Sequence, residues 1–228
     1  MLHVFTTLQK LGLYILDLVY PPLCHICGQT LAENGHICND CLNAFKFQNF
    51  KHEKFSISEC IRIDEAWALF EFDENCQKLI HNLKYSGKRQ AVLVVLEHYR
   101  SQIRQLFGED SYDHILPVPL HKLKQRERGY NQVAHVCHWL AELLGSKVNT
   151  ELVARVKYTK SQTKLSAEER EQNMVNAFEI VAGSMEKGDR ILIVDDVITT
   201  GATSNAIAAV LRAGGATKVD LISLSSPK

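Results

Sequence analysis

The sequence predicts an α/β protein built on a parallel sheet, preceded by a helix and a small cysteine module. Three observations carry this expectation. From residue 66 onward, short apolar runs alternate with helix-length amphipathic segments, the pattern of a parallel sheet covered on both faces. Two C-x-x-C pairs, Cys24/Cys27 and Cys38/Cys41, are separated by ten residues. One apolar strand, Ile191-Leu192-Ile193-Val194, runs into Asp195-Asp196 and then into a Thr-Thr-Gly turn at the start of a helix.

Taken in order, residues 1–20 read as an amphipathic helix packed on the body, with interfacial membrane binding as the alternative, because Val4, Phe5, Leu8, Leu11, Ile15 and Leu18 follow helical spacing. A secretory signal is disfavoured: no basic residue precedes Lys10, Asp17 interrupts the apolar run, and Val19-Tyr20-Pro21-Pro22 is a poor cleavage site. The run is also too short to span a bilayer. Pro21-Pro22 ends it and leads into the cysteine module, residues 21–45. Residues 46–65 read as a connector, and residues 66–228 as the α/β domain.

Within that domain, residues 66–72 predict a strand, and Asp73 caps a helix carrying Leu79, Ile80 and Leu83. Gly87 breaks it, and helical spacing resumes over 91–106. Residues 114–118 are a strand ending in Pro117-Val118-Pro119, and 131–144 a helix stopped by Gly145. After the turn Lys187-Gly188-Asp189 come the strand 191–194, a helix over 203–211 ended by Gly214-Gly215, and a last strand at 219–224.

The segment 191–203 has a plain chemical reading. Ligands of open α/β sheets bind beyond the carboxyl ends of strands, and a helix start rich in Gly and hydroxyls offers N–H groups to a phosphate. Gly201 permits close backbone approach, and threonine hydroxyls add donors. Two carboxylates beside an anion site would repel phosphate, so they suit the hydroxyls of a sugar attached to it.

The four paired cysteines supply thiolates for a tetrahedral zinc ion, with iron–sulfur ligation or redox cysteines as alternatives. All four positions being protein, the zinc would be structural, and a module this small would draw much of its folding free energy from it. Seven cysteines in this pattern suit a reducing compartment, so a cytoplasmic location is expected. Equal counts of 26 basic and 26 acidic residues argue against a globally basic nucleic-acid binder, while leaving room for a local basic face.

The run Ile191 to Thr203 resembles the thirteen-residue signature of type I phosphoribosyltransferases. The resemblance implies Asp195 and Asp196 at ribose hydroxyls, and Thr199, Thr200, Gly201, Ala202 and Thr203 around the 5-phosphate. Mg²⁺ would bridge sugar hydroxyls and diphosphate, held mainly by ligand oxygens. Further segments widen the match: Pro117-Val118-Pro119-Leu120, Arg126-Glu127-Arg128-Gly129-Tyr130-Asn131-Gln132, then Arg155, Thr159-Lys160-Ser161-Gln162-Thr163, Leu165, Arg170, Asn173 and Phe178. Together with the cysteine pairs, this succession resembles the ComF family, the phosphoribosyltransferase-like proteins of bacterial natural transformation. The family implies a type I phosphoribosyltransferase fold with a pyrophosphate loop at Pro117 and Val118. Arg126 and Arg128 then reach diphosphate oxygens; the alternative is a solvated basic loop. Residues 157–170 correspond to the loop that closes over substrate.

Two functions follow from the resemblance. One is a competence factor in DNA uptake that binds phosphoribosyl diphosphate or a related ribose phosphate, with single-stranded DNA and a ComFA-type helicase as further partners. Lys84, Lys88, Arg89, Lys122, Lys124, Arg126 and Arg128 would then form a basic track. The other is an active phosphoribosyltransferase whose acceptor the sequence does not reveal.

Overall fold

A computed structural model describes residues 21–32, 35–48, 62–86, 88–157, 176–181 and 183–227. The expected helix over 1–20 lies outside these residues, as does the loop over 157–170 apart from Lys157.

Five parallel strands form the sheet: β1 (Ala66–Glu71), β2 (His114–Pro117), β3 (Lys147–Val148), β6 (Arg190–Val197) and β7 (Lys218–Ser226), in the order β1-β7-β6-β2-β3. A separate antiparallel pair, β4 (Val153–Arg155) and β5 (Phe178–Ile180), lies beside it. Helices are α1 (Asn39–Asn43), α2 (Glu74–His81), α3 (Gln90–His98), α4 (Arg100–Phe107), α5 (Lys122–Arg128), α6 (Ala134–Leu144) and α7 (Ala202–Ala213).

The local signals behave as read. The Asp73 side chain accepts from Cys76 N–H at 2.9 Å and caps α2. Gly145 ends α6 in the left-handed conformation. Two differences have local causes. The helical stretch expected over 91–106 is two helices broken at Tyr99, whose hydroxyl donates to the Phe45 carbonyl at 2.6 Å. Residues 122–128 form a helix rather than a loop, because the His121 ring nitrogen accepts from Leu123 N–H at its start and Gly129 turns left-handed at its end.

Strand alternation builds two apolar layers. Leu192 and Val194 of β6 face the layer holding α2, α3, α4 and α6. Ile191 and Ile193 face the layer holding α7, β4 and β5. The cysteine module belongs to the first layer: Cys24, Ile26, Ile37, Cys41 and Phe45 share a continuous core with Trp67, Phe70 and Leu79. Residues 46–48 cover the outer edge of β1, with Gln48 N–H donating to Leu69 O and Glu71 N–H to Lys46 O. Phe47 stacks on Tyr99 at 5.5 Å between ring centres. An edge strand covered in this way is not available for pairing with another chain.

Candidate functional site

β2 and β6 are neighbours whose next strands leave in opposite directions, β3 to one side and β7 to the other. Such a switch point opens a crevice at the carboxyl ends of the strands. β6 also outruns β2. Their pairing ends at Pro117 and Val194, and Val118 N–H donates to Val194 O at 2.9 Å before the chain turns away. Asp195, Asp196 and Val197 continue alongside β7 and line a cavity of about 550 Å³.

Alternation sends the two carboxylates to opposite faces. Asp196 follows Leu192 and Val194 and is buried, with both oxygens engaged: Lys84 Nζ lies 2.9 Å from Oδ1, and Gln132 Nε2 donates to Oδ2 at 2.8 Å. Asp195 follows Ile191 and Ile193, towards Arg155 of β4. Burial and the adjacent Asp196 charge push its carboxyl up to about 7, against the opposing pull of the Asp196 N–H, Lys84 and Arg155. Two adjacent carboxylates therefore differ: Asp196 is ion-paired with Lys84, and the Asp195 carboxyl is pushed above the usual carboxylate range.

Past Val197 the chain forms the loop before α7. Gly201 sits at the helix N-cap with φ 75°, a conformation a side chain disfavours. Thr200 Oγ1 accepts from Ala202 N–H at 3.4 Å. Asp195, Thr199, Thr200, Gly201, Ala202 and Thr203 surround a recess of about 30 Å³ beside the main cavity. Hydroxyls and helix-start N–H groups make it suited to an anion.

The opposite wall comes from Phe72, from α2 through Ile80 and His81, and from a five-residue π-helical turn, Asn82–Ser86, through Lys84 and Tyr85. The Arg128 guanidinium lies 5.5 Å from the centre of the Tyr85 ring, a cation–π contact. The segment after α5 fastens this architecture residue by residue. Tyr130 O–H donates to Leu83 O at 2.9 Å, Asn131 Nδ2 to Val118 O at 3.0 Å, and Gln132 to Asp196.

The structure thus gathers Asp195, Asp196, Thr199, Thr203, Val118 and Arg128 around one cavity, with Thr200, Gly201 and Ala202 at its recess. Pro117 ends β2 beneath them. Arg126 is exposed on α5 and is not among the cavity-lining residues. Lys84, expected only as part of a basic track, belongs to the site, as do Gln77, His81, Tyr85 and Gln132. Helical spacing put Gln77, Ile80, His81 and Lys84 on one stripe, but nothing local aimed it at β6. The basic track itself is divided. Lys84 pairs with Asp196, and Arg128 packs on Tyr85. Arg89 lies over Tyr130, with its Nη1 3.0 Å from the His135 ring nitrogen. Lys88, Lys122 and Arg126 are exposed.

The second cluster is Cys24, Cys27, Cys38 and Cys41, whose sulfurs lie within 4.8 Å of one another, Cys27 and Cys38 at 3.8 Å. Zinc–sulfur bonds of about 2.3 Å give a tetrahedron with edges of about 3.8 Å, so the donor set fits zinc. Backbone N–H groups are already aimed at sulfur, from Ile26 and Cys38 to Cys24 and from Cys41 to Cys38. Burial would push the Cys24 thiol up, but N–H donors from Cys27, Cys38 and Ile26 outweigh it and bring it down to about 6, favouring the thiolate a metal needs. Gly28, at φ 77°, closes the first knuckle. Cys76 and Cys137 are buried elsewhere in the core, and among the described residues this is the one cluster suited to a metal ion.

The chain matches the model of the phosphoribosyl transferase domain over residues 135–227 and that of the double zinc ribbon domain over residues 15–52. Fold and site thus define a phosphoribosyltransferase-fold protein with an N-terminal zinc-ribbon module. Competence protein F of Haemophilus influenzae is 31% identical over 209 residues, covering 90% of this chain and 84% of that protein. DNA utilization protein YhgH of Escherichia coli K12 is 30% identical over 224 residues, covering 90% and 96%. The chain belongs to the ComF family. Among solved structures it is similar to adenine phosphoribosyl transferase from Trypanosoma brucei, with TM-score 0.40 and 16% identity over 61% of this chain and 68% of that one. No helix among the described residues is long and apolar enough to cross a membrane.

Proposed function

We propose that this protein binds phosphoribosyl diphosphate, or a related ribose phosphate, in the cavity at the end of β6, and uses that site in handling DNA taken up during natural transformation. One observation carries the reading: the carboxylate pair and the Thr-Gly anion recess adjoin a single cavity that Lys84, Arg128 and Arg155 also line. In this reading Thr199, Thr200, Gly201, Ala202 and Thr203 receive the 5-phosphate. Asp195 accepts from the ribose hydroxyls, and Arg128 faces the diphosphate, beside the Pro117-Val118 turn. Arg126, exposed on α5, is left for a partner outside the pocket. Both Asp196 oxygens are engaged by Lys84 and Gln132, so Mg²⁺ suits the site as an ion carried in by the ligand. Its role there would be to neutralise the diphosphate. The competence role is supported by the names of the relatives, and single-stranded DNA or a ComFA-type helicase would be the macromolecular partner.

A second reading, an active phosphoribosyltransferase, is favoured by the cavity's continuation to Phe72, His81 and Tyr85, which would seat an acceptor beside the anomeric carbon. Pyrophosphate release with a defined acceptor would establish it. Salt-dependent binding of single strands without turnover would establish the competence factor.

Calorimetric titration with ribose 5-phosphate and with phosphoribosyl diphosphate plus Mg²⁺ tests the shared core of both readings. Hydrogen bonds to a charged group contribute about 1.5–3 kcal/mol each, so Asp195→Asn with Asp196→Asn should lower affinity at least tenfold; equal affinities would remove the assignment. Wild-type affinity should rise between pH 6 and 8, as Asp195 ionises and becomes a pure acceptor. Stability of the ligand-free protein should run the other way. A carboxyl raised in the folded state costs nothing below the ordinary carboxylate range, and the cost grows until pH passes about 7.

A further inference from the structure

We infer that the zinc-ribbon module sets the geometry of the cavity wall through Asn82, so that metal binding and ligand binding at the β6 site are coupled. The ligand half of this inference rests on the ribose-phosphate reading above. Its structural half rests on a short chain of contacts. His25 lies between the ligands Cys24 and Cys27, and its N–H donates to His36 O at 2.9 Å, tying the two knuckles together. The His25 carbonyl accepts from Asn82 Nδ2 at 2.6 Å. Asn82 is the first residue of the π-helical turn. The next residue, Leu83, is wholly buried in the core that also holds Cys24, Ile26 and Cys41. Lys84 then reaches Asp196, and Tyr85 faces the cavity.

The π-helical geometry makes this contact consequential. Such a turn accommodates an extra residue and is intrinsically less stable than an α-helix. If it relaxes to α-helical register, with each step about the axis returning to roughly 100°, the side chains within the turn are re-aimed. Lys84 would swing away from Asp196, and Tyr85 from Arg128. The turn is pinned by Asn82 on the His25 carbonyl and by Tyr130 on the Leu83 carbonyl. The His25 carbonyl is held where it is by the knuckle, whose four thiolates would in turn be fixed by a bound zinc ion. Asn82 is thus a positioning residue: it does not line the cavity, yet it sets two residues that do.

Coupling between two binding events is reciprocal, which gives a readout separate from activity. In the zinc-loaded full chain, zinc affinity is measured by competition with a chelating dye, with and without saturating ribose 5-phosphate. The sugar phosphate should raise zinc affinity by a factor within about 5–150-fold. In Asn82→Ala, which keeps all four cysteines and every cavity-lining side chain, that factor should fall to near one while zinc remains bound. Equal zinc affinity with and without ribose 5-phosphate in the wild type, where the sugar phosphate does bind, would overturn the inference. If ribose 5-phosphate does not bind the wild type at all, the ribose-phosphate reading fails instead, and hydrogen exchange judges the structural half. Amides of residues 83–86 should exchange at least tenfold faster in zinc-loaded Asn82→Ala than in wild type, with residues 191–194 unchanged. Unaltered protection at 83–86 would overturn the coupling. Asn82→Asp, which lacks the donor but keeps the size, serves the same measurements if the alanine variant does not fold.

Discussion

On one side of the cavity, Asp195 through Thr203 continue directly from a central strand hydrogen-bonded on both edges. On the other, His81, Lys84 and Tyr85 stand on a helix and a π-helical turn that meet β6 through side chains alone. The floor inherits its position from the backbone ladder of the sheet. The wall is placed by a few separate contacts: Asn82 on His25, Tyr130 on Leu83 and Lys84 on Asp196. Side chains on the floor can therefore be exchanged at a cost mainly to ligand binding. Those that hold the wall carry stability and geometry together.

The largest effect expected from breaking this arrangement is at the metal. Cys41→Ser should abolish tight zinc binding and lower stability by about 4 kcal/mol or more. Sequence alone suggests that such damage stays mainly within residues 20–45. The shared core containing Cys41, Phe45 and Phe70 extends it to β1 and α2, and hydrogen exchange across residues 66–81 checks this. Next in size is Lys84→Met, which leaves Asp196 buried without its cation. A stability loss of about 2 kcal/mol is expected, less than for a fully buried pair because Lys84 retains partial access to water. Denaturant unfolding of Lys84→Met beside the Lys84→Met, Asp196→Asn double variant distinguishes the cause: removing the uncompensated carboxylate should recover most of the loss. Smallest is the separation of the two arginines. Arg128→Ala should weaken ribose-phosphate binding about tenfold, the scale of a lost charge-assisted hydrogen bond. Arg126→Ala, exposed on α5, should change it less than about twofold. Matching losses from both would show that α5 bends over the pocket on binding.

Much of the floor was legible in the sequence because its determinants are contiguous. An apolar strand, an acidic pair, two threonines and a glycine lie within thirteen residues, and each acts on its immediate neighbours. The cysteine cluster was legible for a similar reason, since ligand spacing within each knuckle is a local constraint. The run from Arg126 to Gln132 is visible in the sequence as a motif, of which the resemblance assigns only Arg126 and Arg128, both to diphosphate oxygens. In the structure they diverge: Arg128 enters the cavity, Arg126 faces solvent, and Tyr130, Asn131 and Gln132 each fasten a different element.

The sequence by itself determined strands β1, β2, β6 and β7, helices α2, α6 and α7, the capped start of α2, the glycine stops of α6 and α7, the four-cysteine cluster and the Thr-Thr-Gly loop at the end of β6. These depend on periodicity, caps and spacing, which operate over a few residues. Tertiary structure alone decided that Asp195 and Asp196 serve opposite faces with different partners, that Lys84 belongs to the site rather than to a surface track, and that the cysteine module shares the core of the sheet. Each of those follows from strand pairing and side-chain packing between residues far apart in the chain, where neither partner's immediate neighbours carry any trace of the other.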